Sequence, residues 1–332
     1  MMGEFDVIAR YFKRSANPKQ PESSLPIGLG NIGIGDDCAV WTPTPNTQLC
    51  ISSDMLVEGR HFLSTVSPEA LGHKALAVNL SDLAACGATP RAFTLALALP
   101  SVDAAWLEGF SRGLFALADL HNCTLIGGDT TKGPLNICIT VFGEVPRGQA
   151  LLRSGAQVGD DLYVSSGTSA NGQAEQVGQA RLALEVFRGN LSIPQHEFDF
   201  VRRRMERPTP RVALGVALRG IASSAIDISD GLLGDLGHIL KASHVGATVQ
   251  TNWIESSHPQ AIEFALAGGD DYELLFTAPP SQRDAVVAAA IASHCRVTCI
   301  GQVTHGQSLR VLDATGLPLG QSFASFDHFA SR

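Results

Sequence analysis

A chain of 332 residues, 45% of them hydrophobic, is long enough for a large core and, at roughly 100–200 residues per domain, for two domains. Its 32 acidic against 24 basic side chains leave a net charge of -8. That balance argues against nucleic acid or an anionic membrane as principal partner, since both are held through clustered Lys and Arg.

The first fourteen residues mix charge with apolar side chains and lack the uninterrupted core of a signal peptide, while Phe5, Ile8 and Phe12 fall on one helical face. Residues 17–34 are rich in Pro, Gly, Ser and Asn and read as a surface loop leading into Gly35-Asp36-Asp37. Gly28-Leu29-Gly30-Asn31-Ile32-Gly33 has the letters of a dinucleotide fingerprint, but Pro21–Pro26 stand where a buried strand is required, so it reads as loop. A strand over 48–53 sets Asp54 just past its end, where the carboxylate projects from a sheet edge into a cleft. A long helix starts at Pro68 after Ser67 and stops at Gly87, with Asp82 inside it between Leu80 and Leu83. An acid there either faces solvent or is bound to something.

Strand-like Ala92–Leu99, a helix over 103–120 and strands near 123–127 and 135–145 follow. Gly127-Gly128-Asp129-Thr130 is thereby expected between two strands, where paired glycines allow close backbone approach to a ligand. The longest apolar runs fall far short of the ~20 residues of a membrane span, and a cytoplasmic location is expected.

Pro146–Ala150 reads as a boundary between domains 1–147 and 148–332. Beyond it come a turn and strand at Val158–Val164, with Asp160 and Asp161 expected to serve only the turn, then helical segments around 173–187 and 209–219. Ala225–Ile228 reads as a strand entering a helix through Leu232, Leu233, Leu236, Ile239 and Leu240. Asp227 and Asp230 bracket that junction, where a helix N-terminus offers N–H groups to a phosphate and Ser229 or Asp230 acts as cap. Strands at Tyr272–Thr277 and 296–303 follow. The mixture lacks a regular β-α-β rhythm, so the expected class is α+β with helices on one sheet face. Seven cysteines, an odd number scattered through apolar segments, fit reduced core thiols. His294, Cys295, Cys299 and His305 match no standard zinc module.

Acidic stations recur throughout: Gly35-Asp36-Asp37, Ser52-Ser53-Asp54, Asn79-Leu80-Ser81-Asp82, Gly127–Thr130, Asp227–Gly231 and Gly268-Gly269-Asp270-Asp271. Oxygen-only ligand sets of this kind suit hard cations such as Mg²⁺ better than zinc or iron. No lysine-bearing phosphate loop occurs. Phosphate would therefore be handled through carboxylate-held metal.

With Lys74–Ala88, Arg153-Ser154-Gly155-Ala156 and Gly268–Leu274, these stations appear in an order that resembles the thiamine-monophosphate kinase family, of the aminoimidazole ribonucleotide synthetase superfamily, over nearly the whole chain. The resemblance implies a two-domain α+β fold of that superfamily and a homodimer joined through the N-terminal sheets. It also implies an enzyme that moves the γ-phosphoryl group of ATP to thiamine phosphate using several Mg²⁺ ions. Carried over, Asp37, Ser52 or Ser53, Asp54, Asp82, Asp129, Asp227 and Asp230 become metal ligands. Gly128, Asp129, Arg153 and Ser229 match ATP positions, and His61, Asp270 and Phe326 match thiamine phosphate positions. The acceptor monoester, with a second pKa of about 6, is already largely anionic and needs no general base, so no catalytic His or Ser is expected. Direct in-line transfer follows, with the ions shared among Asp54, Asp82 and Asp129.

Two departures stand out. Asp270 replaces the family Glu, and Gly167-Thr168-Ser169-Ala170-Asn171-Gly172 replaces a Gly-Thr-x-Gly-Asp turn. Another ATP-using superfamily member, such as an aminoimidazole ribonucleotide synthetase-like enzyme, and a non-catalytic Mg-nucleotide sensor are the alternatives.

Overall fold

The computed structural model describes residues 3–13, 33–169, 172–255 and 261–319. They form two compact units. The first takes the described residues up to Leu83 with Ala88–Gly148, and the second takes Ala84–Gly87 with the described residues from Gln149.

The first unit opens with α1 (Glu4–Val7), which runs on as a π-helical turn over Ile8–Phe12. Then come β1 (Thr47–Val57), α2 (Pro68–Ala85), β2 (Thr89–Leu99), α3 (Ala104–Leu120), β3 (Thr124–Lys132) and β4 (Asn136–Pro146). Its sheet has the order β1-β4-β2-β3. Only β2 and β3 run parallel, because α3 carries the chain back along the sheet between them.

Helix α2 begins where the Ser67 hydroxyl accepts the Ala70 N–H at 3.2 Å. At the start of α3 the Asp103 carboxylate accepts from Ala105 and Trp106. These helices meet backbone to backbone: a Cβ on Gly72 would lie 2.0 Å from the Phe110 carbonyl oxygen, and one on Gly113 1.9 Å from that of Glu69. One sheet face is buried, through Leu56, Phe93, Leu95, Leu97, Ile137, Ile139 and Val141. On β1 the alternate side chains Leu49, Ile51 and Met55 are 44%, 59% and 54% exposed.

The second unit holds β5 (Asp161–Thr168), β6 (Ala174–Glu175), α4 (Gln179–Phe187), α5 (Gln195–Glu206), α6 (Val212–Ala217), β7 (Ser224–Asp227), α7 (Leu232–Ser243), β8 (Gly246–Gln250), α8 (Ala261–Ala267), β9 (Leu274–Ala278), α9 (Arg283–Ala292), β10 (Arg296–Thr304) and β11 (Leu309–Leu312). The sheet order is β11-β8-β10-β5-β9-β7, with β6 beside β5 and only β11–β8 parallel. Leu232, Leu236, Ile239 and Leu240 of α7 pack into its core with Leu162, Ile226, Val249, Leu275 and Ile300.

Several expectations need correction. Strand β1 continues to Val57, so Asp54 lies inside an edge strand and not past its end. Likewise Gly127–Asp129 lie within β3, not between strands. The segment read as helix from 173 begins as β6 and becomes helical only at Gln179. Asp160 does serve a turn, accepting the Gln157 N–H at 2.9 Å, but Asp161 opens β5 and pairs with Arg283 at 2.6 Å. All seven cysteines are free, yet Cys123 alone is buried. Among the described residues no helix is long and apolar enough to cross a membrane. The glycine-rich 28–32 stretch lies outside the described residues.

Candidate active site

Strand alternation places Ser52 and Asp54 on one side of β1, both half-buried, with α2 against them. The Ser52 hydroxyl donates to Asp82 Oδ2 of α2. The outward N–H of Asp54 is taken by Asn79 Oδ1 at 3.1 Å, and Asn79 Nδ2 donates to the Ala75 carbonyl at 3.0 Å. One buried amide thus ties the edge strand to the helix. Ser53 points the other way, with its hydroxyl 2.9 Å from that of Thr140 on β4. Ser52, not Ser53, therefore joins Asp54 and Asp82. His61 sits in the turn after β1, its Nδ1 accepting the Val57 N–H at 3.0 Å.

Asp37 and Asp129 lie elsewhere in this unit. Both line a cavity of about 590 Å³ together with Gly35, Asp36, Gly127, Gly128 and the apolar Phe12 and Leu125. Gly128 is required there: its φ is +144°, and a Cβ would lie 1.8 Å from the Leu95 carbonyl oxygen.

The cross-sheet register runs Asp54–Ile139–Leu95–Gly128. Asp54 and Asp129 therefore stand on opposite edge strands, three strand spacings or roughly 14 Å apart along the sheet. Two Asp side chains bridged by Mg–O distances of about 2.0–2.1 Å do not span that gap. Within one copy, Ser52, Asp54 and Asp82 lie at one edge of the sheet and Asp129 stands at the other, lining the same cavity as Asp37.

In the second unit β7 ends at buried Asp227, and Ile228–Gly231 lead into α7. The 268–272 loop interlocks with this junction. Asp270 N–H donates to the Ser229 carbonyl at 2.8 Å, Tyr272 N–H to that of Ile228 at 2.9 Å, and Ile228 N–H to that of Glu273 at 2.8 Å. A Cβ on Gly269 would lie 2.4 Å from the Ser229 oxygen. The junction and the loop are therefore one structure, with Ser229, Asp230 and Asp270 side by side.

The helix N-terminus itself differs from expectation. Gly231 is its cap residue and supplies no side-chain bond. Asp235, in the first turn, accepts the N–H groups of Ser229 and Asp230, each at 3.1 Å, so these two are not offered to a phosphate. Burial pushes the Asp235 carboxyl up to about 7 against those two stabilising bonds. Arg153 lies at the other end of α7, where the Ser243 hydroxyl donates to its carbonyl, so its backbone is roughly 18 Å from that of Ser229. Phe326 lies outside the described residues.

Asn79, Asp235, Asp271 and Glu273 support the site and carry no role in the sequence reading. The legible signal was an acid on an apolar helical stripe: Asp235 follows Leu232 and precedes Leu236 and Ile239, all buried. Asp271 is buried, accepts the Gly178 N–H at 2.8 Å, and is pushed by that burial up to about 8. Glu273 is clasped by Arg204 and Arg211.

The side chains fit Mg²⁺ by donor chemistry, every one being a carboxylate or hydroxyl oxygen. Among the described residues no three His, Cys, Asp or Glu side chains converge on one point.

Residues 35–145 match the family described as AIR synthase related protein, N-terminal domain, and residues 157–314 match its C-terminal domain. The chain is 44% identical over 338 residues to the thiamine-monophosphate kinase of Salmonella typhimurium, covering 99% of each. The thiamine-monophosphate kinase structure from Stenotrophomonas maltophilia K279a is 45% identical, with a TM-score of 0.77 over 84% of this chain and 90% of that one. AaThiL complexed with AMPPCP and TMP is 29% identical, with a TM-score of 0.73 over 87% of this chain and 89% of that one. The chain belongs to the AIR synthase related family and, within it, to the thiamine-monophosphate kinases.

Proposed function

We propose that this protein transfers the γ-phosphoryl group of ATP to thiamine phosphate, giving thiamine diphosphate and ADP. The observation that carries the reading is the full-length match to thiamine-monophosphate kinases together with oxygen-only acidic stations in both units. Asp37, Ser52, Asp54, Asp82 and Asp129 in the first unit, and Asp227 and Asp230 in the second, are the groups that would hold Mg²⁺. Bound there, Mg²⁺ supplies neutralisation of the repulsion between an anionic acceptor and the γ-phosphate.

The chain's own part is placement. Asn79 fixes Asp54 against α2, so Ser52, Asp54 and Asp82 present one oxygen-lined edge. The Gly127–Asp129 backbone lines the cavity, and Gly128 lets β3 lie close against Leu95 of β2 there. His61 and Asp270 are assigned to thiamine phosphate, with Phe326, and Gly128, Asp129, Arg153 and Ser229 to ATP. The acceptor oxygen is anionic at neutral pH, so no side chain needs to remove a proton and none is assigned as nucleophile.

The reading includes a homodimer. Its support is the apolar face that Leu49, Ile51 and Met55 present from the first sheet, of a kind that monomers rarely leave open. A domain division near 147 and a cytoplasmic location belong to the same reading.

The test is acceptor specificity. Thiamine phosphate, free thiamine and an aminoimidazole ribonucleotide precursor are offered with radiolabelled Mg-ATP, and the protein is quenched and counted. Label in thiamine diphosphate alone is expected. Label trapped on the protein would refute direct transfer, and turnover of the imidazole precursor would move the assignment to another superfamily reaction.

A further inference from the structure

We propose that Asp235 is a positioning residue for the phosphoryl transfer: held inside the fold, it sets the Ser229–Asp230 segment that faces the reactants. The inference rests on the functional reading above.

Asp235 is 2% exposed and lies in the first turn of α7, on the same stripe as Leu232, Leu236 and Ile239. A carboxylate among those side chains costs free energy unless its oxygens are satisfied, and an apolar residue would fill the place at less cost. What it gains is local. Oδ2 accepts both the Ser229 and Asp230 N–H groups at 3.1 Å, from inside the helix, because the cap residue Gly231 has no side chain to do so. The carbonyl of Ser229 meanwhile accepts the Asp270 N–H at 2.8 Å. The Ser229 backbone is thus held at its N–H by Asp235 and at its C=O by the Asp270 loop. A nucleotide position, a metal position and a substrate position share this one clamp. Without the carboxylate, two N–H groups lose their partner and the Ser229–Asp230 segment keeps only the anchor at its Asp270-loop side.

The test compares Asp235→Asn and Asp235→Ala with the wild type by Mn²⁺ affinity in the presence of AMPPCP, read by electron paramagnetic resonance, beside thermal unfolding and a KM-against-kcat split for ATP. An outer residue that orients a ligand is worth about 10–100-fold in metal affinity. Asp235→Ala is expected to weaken Mn²⁺ binding at least tenfold, and Asp235→Asn, which keeps an acceptor oxygen at the same place, to restore it to within a few-fold. If Asp235→Ala does not fold, Asp235→Ser takes its place, since its oxygen falls one bond short. Equal losses in Asn and Ala would make Asp235 a ligand itself and overturn the positioning role. A lowered unfolding temperature with unchanged Mn²⁺ affinity would make it structural only, and also overturn it. A wild type that binds no Mn²⁺ with AMPPCP would instead refute the functional reading, and this inference with it.

Discussion

Glu273→Ala is expected to destabilise the second unit by about 3–5 kcal/mol, the usual loss when one partner of a buried ion pair is removed. Glu273 has no solvent exposure, and four donors converge on its two oxygens. Arg211 Nε reaches Oε2 at 2.7 Å and Arg211 Nη2 reaches Oε1 at 2.5 Å, while Arg204 Nη2 reaches Oε1 at 3.0 Å and the Ser165 hydroxyl reaches Oε2 at 2.6 Å. Removing the carboxylate leaves two buried guanidiniums sharing Glu175, which lies 2.8 Å from Arg211 and 3.5 Å from Arg204. Burial pushes the Glu175 carboxyl up, but the two arginines bring it net below its ordinary range, so it stays ionised and sets one negative charge against two positive ones. At about 2–4 °C per kcal/mol for a unit of this size, the unfolding temperature falls by about 6–20 °C. Differential scanning calorimetry reads this directly, and Glu273→Gln, which keeps acceptor capacity but not charge, should lose less. A fall under about 2 °C for Glu273→Ala would refute the claim that this network braces the 268–274 loop.

Three further outcomes follow from other contacts. Gly128→Ala forces a Cβ to 1.8 Å from the Leu95 oxygen at φ +144°, and strain plus overpacking is expected to cost about 2–5 kcal/mol in thermal unfolding. Asp271 is raised from its ordinary value near 3.8 to about 8, so the folded state holds a proton there that the unfolded state releases. Its contribution to stability is complete below about pH 4 and is lost as pH rises through 8, so Asp271→Asn should flatten the decline of the urea midpoint between pH 5 and 9. Ile51→Asp, on the open sheet face, is expected to convert a dimer to monomers in sedimentation velocity, and a wild type that sediments as a monomer would contradict the proposed homodimer.

Local signals carried the helices well. Ser67 and Gly87 bound α2, and Asp103 marks the start of α3, because caps are written within a few residues of what they cap. Strand ends are less legible: the strand over 48–53 runs on through Asp54 to Val57, and Gly127-Gly128-Asp129, expected between strands, is held in β3 by its partners on β2. The separation of Asp54 from Asp129 is a matter of strand order, set by long-range pairing that no local pattern encodes. Helix α5 was missed because its charged face dominates; Phe198, Val201 and Met205 carry the period, and Arg202–Glu206 supports it. At the Asp227–Gly231 junction the acids were legible as a station. The inward role of Asp235 was not, because capping from within a helix depends on the path of the preceding loop.

The most direct measurement is thiamine diphosphate formation from thiamine phosphate and Mg-ATP by the wild type beside Asp54→Asn. The account predicts product with the wild type, dependence on added Mg²⁺, and a loss of at least a hundredfold in the variant with its fold retained by circular dichroism. Undiminished turnover by Asp54→Asn, or no product from a wild-type protein that binds Mg-ATP, would contradict it.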